Sequence, residues 1–187
     1  MHRRRFLKIA ATASLSWCAA GIALAGSGKL TPEAVEEMRR SWQTFVPKGR
    51  AIPNPQDMVT KSREDWRKAL SPSSYDVLRE EGTERPFSSP LNDEKRPGVF
   101  ACAGCGLPLF TSAMKFDSGT GWPSFVTSIP GHLAMKTDYK LIAPRTEYHC
   151  VRCGGHQGHV FDDGPPPTHQ RWCNNGVALE FVPSRMA

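Results

Sequence analysis

Cys102-Ala103-Gly104-Cys105-Gly106 and Cys150-Val151-Arg152-Cys153-Gly154-Gly155 organise the rest of the chain around them. A Cys-x-x-Cys turn points two sulfurs at one spot, and a following Gly lets main-chain amides turn toward them. Two such knuckles complete a tetrahedral four-thiolate site, here one structural Zn2+ per chain on Cys102, Cys105, Cys150 and Cys153. The 44 residues between the pairs exceed ordinary zinc-ribbon spacing, so a whole sheet is expected between the knuckles. Two local disulfides, or one redox-active pair, are the competing readings. A disulfide closing so small a loop removes little unfolded-state entropy, whereas a metal ties distant segments together. In the zinc reading the metal holds the fold and offers no open position to a substrate.

Around the knuckles the texture is that of short strands between turns. The 187 residues include 16 Gly and 16 Pro, above the usual share but far from a low-complexity value. Residues 99–103, 107–110, 147–151, 159–162 and 177–182 read as strands. Before them, two short helices are expected, one over 63–70 and one capped by Ser71 with Pro72 at its first position. Earlier still, Thr31-Pro32-Glu33 reads as a helix start. Val35, Met38, Trp42 and Phe45 follow at helical spacing until Pro47. Residues 26–59 are thus an N-terminal helical extension packing on a domain that runs over 60–187.

The formal charge of +6 does not mark a nucleic-acid binder. Arg3, Arg4, Arg5 and Lys8 lie in the first 25 residues, leaving 20 bases against 18 acids in the remainder. Those 25 residues have the layout of a signal peptide: a basic start, an uncharged Ala/Ser/Thr-rich stretch, and Ala23-Leu24-Ala25 before Gly26. Arg3-Arg4-Arg5-Phe6-Leu7-Lys8 resembles the twin-arginine export signal. The expectation is export of the folded protein to a bacterial periplasm, with only a transient membrane encounter.

Cys18 leaves with that leader, and four cysteines are assigned to metal. One thiol remains, Cys173, in Arg171-Trp172-Cys173-Asn174-Asn175. It is either a buried inert Cys or a nucleophile. Arg171 beside it, and His156 and His159 in the preceding run, are expected to depress its pKa and raise its thiolate fraction. His132, His149 and His169 have no motif around them and read as structural or surface residues.

Taken in order, these runs resemble one family, the B-type methionine sulfoxide reductases. The matching segments are Gly82-Thr83-Glu84-Arg85-Pro86-Phe87, the first knuckle, Lys115-Phe116-Asp117-Ser118-Gly119-Thr120-Gly121-Trp122-Pro123-Ser124-Phe125, the second knuckle, residues 156–164, and residues 171–175. The resemblance implies a mainly β fold: two antiparallel sheets, a few N-terminal helices and a four-Cys zinc site. It implies thiol-dependent reduction of the R epimer of methionine sulfoxide in peptides and proteins. Carried over by motif, Cys173 is the nucleophile and Trp122 the apolar wall receiving the substrate methyl group. His156, His159, Asp163, Arg171 and Asn175 would surround the sulfoxide oxygen and the thiolate. These residue types suit the chemistry, because a sulfoxide sulfur becomes electrophilic when its oxygen is polarised or protonated. A soft thiolate then takes the oxygen as a sulfenic acid.

Three departures from the family pattern stand out. Thr120 occupies the position of a second, resolving Cys, so an external thiol, such as a thioredoxin-like protein, is the expected reductant. Gln157 stands where Leu is usual. Asn174 and Gly176 replace an apolar residue and a Ser. Two other classes of function remain in view: a zinc-stabilised ligand-binding module without turnover, and a thiol–disulfide oxidoreductase working through one Cys-x-x-Cys.

Overall fold

Polar caps start each helix. In a computed structural model that describes residues 29–139 and 144–185, Thr31 accepts from Ala34 N (3.2 Å) and opens α1, Pro32–Arg40. Ser62 accepts from Asp65 N (3.1 Å) to open α2, Arg63–Ala69, and Ser71 from Ser74 N (3.1 Å) to open α3, Pro72–Glu80. The helix expected to run on to Phe45 stops sooner. The Ser41 hydroxyl and N–H both bond to Glu37 O, and a 3-10 turn, Trp42–Phe45, follows. Met38 joins the core, and the Trp42 ring meets His132 edge-on at 5.1 Å. The 1–25 leader lies outside the described residues. Among those described, no helix is long and apolar enough to cross a membrane.

Among the described residues, nine strands form two antiparallel sheets. The smaller has order β2-β1-β9, from Pro108–Thr111, Gly98–Cys102 and Leu179–Pro183. The larger has order β3-β4-β8-β7-β6-β5. Its strands are Lys115–Phe116, Ser124–Phe125, Arg171–Asn174, His156–Phe161, Arg145–Cys150 and Leu133–Asp138. Aromatic rings from both sheets close the core. Phe110 of β2 stacks on Phe125 of β4 at 4.0 Å, and Trp172 of β8 packs edge-on against Tyr148 of β6 at 5.0 Å. Burying such rings supplies much of the folding free energy of a β domain.

Three sequence expectations shift. The strand expected over 177–182 begins with a 3-10 turn, Gly176–Ala178. β7 starts at His156 rather than at 159, so His156, Gln157 and Gly158 are part of the strand. β5 and β8 were unexpected: Met135, Lys136 and Thr137 are exposed, and Arg-Trp-Cys-Asn carries no β-branched residue. Pairing across the sheet, not local preference, makes them strands.

Candidate active site

The fold brings the knuckles together. All four Sγ atoms lie within 4.8 Å of one another, Cys102 to Cys153 at 3.6 Å and Cys105 to Cys150 at 3.5 Å. Sulfurs held about 2.3 Å from zinc in a tetrahedron stand about 3.8 Å apart, so the donor set fits the ion. The five described cysteines are free thiols. Gly106 and Gly154 close the two turns by donating to Cys102 O and Cys150 O, each at 2.8 Å. They do so at φ of +74° and +67°, which glycine adopts without strain. Hydrogen bonds among the thiols push Cys102 above its ordinary pKa and Cys105 well below it. Four sulfurs this close can all be deprotonated only with a cation among them.

The strand register builds the second site. Ser124 (β4), Cys173 (β8), His159 (β7), Glu147 (β6) and Lys136 (β5) are successive cross-strand partners, one lateral row on one face of the large sheet. Side chains two residues along share that face, which adds Arg171, Phe161, Arg145 and Asp138. Trp172 and Asn174 point the other way, into the core. A cavity of about 130 Å³ opens over the row, with Cys173 beside Trp122, His159, Arg145, Phe161 and Thr83. Trp122 is fixed by its Nε1 donating to Glu84 O (3.2 Å).

Charge around Cys173 is balanced against burial. Burial pushes the thiol above its ordinary 9.0, while the Arg171 charge and hydrogen bonds from Thr120 and Arg171 pull it down. The expectation of a depressed thiol is thereby corrected: Arg171 acts in the expected direction, and desolvation outweighs it. Arg171 is itself held by Asp163, Nε to Oδ1 at 2.7 Å and Nη2 to Oδ2 at 2.9 Å, and lies over the Phe161 ring at 4.3 Å. His159 Nε2 donates to Asp138 Oδ2 (2.8 Å), which also accepts from Arg145 Nη2 (2.6 Å). Burial lowers the His159 pKa below 6.5 despite that carboxylate, with the Arg145 charge adding to the fall.

The residues singled out from sequence divide into three groups. Cys173, Trp122, His159 and Asn175 line the cavity. Arg171 reaches the thiol from β8, whereas Asp163, its side chain 62% exposed, grips Arg171 from outside. His156, 3% exposed, is not among the lining residues; its ring lies 5.5 Å from that of His159 and its Nδ1 donates to Glu147 Oε1 (2.9 Å). His132 donates Nδ1 to Pro108 O (2.6 Å), a structural tie. Arg145 and Glu84 were missed. Glu84 accepts from Gly176 N (2.6 Å) and Val177 N (2.9 Å), and its own N–H donates to Asn175 Oδ1 (3.0 Å). Glu84 sat inside a quoted motif, but nothing in its neighbours announced partners more than 90 residues away.

Comparison with known proteins matches this architecture. The SelR domain family model matches residues 70–183. A peptide methionine sulfoxide reductase MsrB from Methanosarcina barkeri is 52% identical over 127 residues, covering 67% of this chain and 89% of that protein. Proteins of the same name from Leifsonia xyli and Agrobacterium fabrum are 50% and 49% identical, covering 91% and 93% of their lengths and 67% of this chain in each case. A four-thiol knuckle pair, a cavity over one thiol, and this similarity across the whole β domain converge: the chain belongs to the SelR-domain family of peptide methionine sulfoxide reductases, the MsrB reductases.

Proposed function

We propose that the chain reduces the R epimer of methionine sulfoxide in peptides and proteins, with Cys173 as the attacking thiol. The observation that carries the reading is the placement of Cys173 in a small cavity that the Trp122 indole and the Arg145 guanidinium also line. A sulfoxide's methyl group suits the indole face, and its oxygen suits the cationic side. That difference between the two walls is what selects one epimer.

The protonation states fit the reaction. With the thiol raised and His159 lowered, the resting pair at neutral pH is a thiol and a neutral imidazole. Attack on sulfur needs a proton on the departing oxygen, and the thiol carries one; in this reading His159, which lines the same cavity, accepts it and passes it on. The S–O bond of the substrate breaks, a Cys173 S–O bond forms, and methionine leaves. Arg145 and Arg171 stabilise the negative charge that builds on oxygen and sulfur. Cys173 is reduced back in two steps: an external thiol condenses with the sulfenic acid, releasing water, and a second thiol resolves the mixed disulfide. Thr120 at hydrogen-bond range of Cys173 supports this route, since a hydroxyl there closes no disulfide. A thioredoxin-like protein fits the role.

Cys102, Cys105, Cys150 and Cys153 would hold a structural zinc ion, which clamps β1 and the turn after it to the end of β6 and the turn leading into β7. The division into leader (1–25), extension (26–59) and reductase domain (60–187), and action in the bacterial periplasm, rest on the basic start, the uncharged stretch and the Ala-x-Ala site. The test is reduction of each epimer of a methionine-sulfoxide peptide by the purified protein with dithiothreitol, beside Cys173→Ser. R-selective turnover that vanishes in the variant is expected. A zinc-loaded protein that consumes neither epimer overturns the reading.

A further inference from the structure

Gln157 is 0% exposed, an uncommon position for an amide side chain, and the local geometry explains how it gets there. In the pairing of β6 with β7, Tyr148 faces Gly158 and His149 faces His156, so Gln157 is the extra residue of a β-bulge. A bulge re-aims one side chain out of the strand's alternation. Here it sends the amide into the core, where Nε2 donates to Cys102 Sγ at 3.3 Å. A thiolate only accepts, so the NH2 end must face the sulfur and the carbonyl must face away.

The other end is equally determined. Gln157 Oε1 accepts from Asn174 Nδ2 at 3.4 Å, and Asn174 Oδ1 accepts from the Tyr148 hydroxyl at 2.9 Å. Asn174 and Tyr148 are also 0% exposed. The result is a directional chain, Tyr148 to Asn174 to Gln157 to Cys102, in which every donor points toward the sulfur. Such chains polarise in one sense and strengthen along their length. The Gln157 main-chain carbonyl accepts from Asn175 N (2.9 Å) and Nδ2 (3.0 Å), so the backbone of the same residue holds the segment directly after Cys173.

We propose that Gln157 is a positioning residue that donates to the Cys102 ligand sulfur, slows metal loss, and ties the four-thiolate site to the Asn174–Asn175 segment behind the nucleophile. The inference rests on the zinc reading of the four cysteines. A hydrogen bond to the thiolate stabilises its charge and disfavours its protonation, the step by which a ligand sulfur lets go of the metal. Removing such a partner typically costs on the order of 10- to 100-fold in metal affinity or activity. Because Asn174 touches no cysteine yet completes the chain, its removal transmits a smaller effect of the same sign.

The experiment begins with zinc per chain in the purified wild type, Gln157→Leu, Gln157→Met and Asn174→Leu proteins. The rate of zinc transfer to 4-(2-pyridylazo)resorcinol is then followed at one fixed pH. Transfer is expected about 10-fold faster in Gln157→Leu and Gln157→Met, and faster by a few-fold in Asn174→Leu. Cobalt-substituted protein gives a second readout: the thiolate-to-metal charge-transfer band moves to longer wavelength when the donor is lost. Gln157→Met keeps the length and an unbranched shape, so it serves if the Leu variant does not fold. A wild type that carries zinc, with transfer rates and cobalt bands unchanged in the Gln157 variants, overturns this inference alone. A wild type without zinc overturns it together with the zinc reading.

Discussion

Glu84 joins three parts of the site, and its removal tests whether that junction matters. Its carboxylate accepts from Gly176 N at 2.6 Å and Val177 N at 2.9 Å. Its own backbone accepts from Trp122 Nε1 and donates to Asn175 Oδ1. Glu84→Ala leaves two main-chain N–H groups without their anionic acceptor. Each charge-assisted bond is worth about 1.5–3 kcal/mol, and partial exposure lets water replace some of it, so the pair sums to about 2–4 kcal/mol. For a domain of this size that lowers the melting temperature by roughly 5–15 °C. Alanine keeps the main-chain bonds to Trp122 and Asn175 but frees the segment that carries them from Gly176 and Val177, so both partners can shift and KM for a sulfoxide peptide should rise more than kcat falls. Glu84→Gln keeps one acceptor oxygen and should lie between. Calorimetry with steady-state kinetics on the three proteins decides the matter. Melting within 2 °C of wild type, with KM unchanged, would refute the anchor role.

Three further expectations concern the chemistry. Arg145→Gln should lower kcat by about 10²-fold with a smaller change in KM, the usual scale for losing one donor at a developing charge; equal loss with a ground-state sulfone analogue still bound normally would support it, and an unchanged kcat would remove Arg145 from the reaction. Thr120→Cys should trap an intramolecular disulfide with Cys173 after a single turnover without reductant, seen as two hydrogens missing in intact mass; a persistent sulfenic acid would show that residue 120 does not reach the sulfur. The kcat/KM profile against pH should be a broad plateau. The acid limb falls below 6.5, because His159 is lowered and its protonation removes the proton acceptor. The basic limb falls above 9.0, because Cys173 is raised and loses the proton the oxygen needs. An acid limb above 6.5 or a basic limb below 9.0 contradicts those two shifts.

What the chain discloses in one dimension follows from how local each signal is. The knuckles are local: two Cys and a Gly within five residues specify a turn whatever surrounds it. The caps at Thr31, Ser62 and Ser71 are local for the same reason, since a side-chain oxygen meets an amide three residues on. Cys173 was legible as the thiol left after the metal set was filled. Glu84 and Arg145 were not, because their partners come through long-range pairing. The two histidines are the sharpest case. His156 and His159 are three residues apart, a spacing that regular alternation puts on opposite faces, yet the bulge at Gln157 brings both to one face with their rings 5.5 Å apart. On that shared face His159 meets Asp138 and His156 meets Glu147. No spacing rule reveals a bulge whose cause lies in the neighbouring strand.

The nucleophile's position is therefore a matter of register. In β8, Arg171 and Cys173 face the cavity, while Trp172 and Asn174 face the core. Trp172 packs against Tyr148 and Phe110, and Asn174 is held from two sides by Tyr148 and Pro123 O. A slip of one residue would expose the indole to water and bury the Arg171 guanidinium in the aromatic core. Both changes oppose folding strongly, so the register is fixed by residues that never touch substrate. The same four-residue strand thus carries the reactive thiol on one face and the reason for its placement on the other. Substitutions on the inner face should accordingly change how well Cys173 meets Trp122 and Arg145 without altering any group that does chemistry. That is why Asn174, adjacent to the nucleophile but turned away from it, reports on the core and on Cys102 rather than on the sulfoxide.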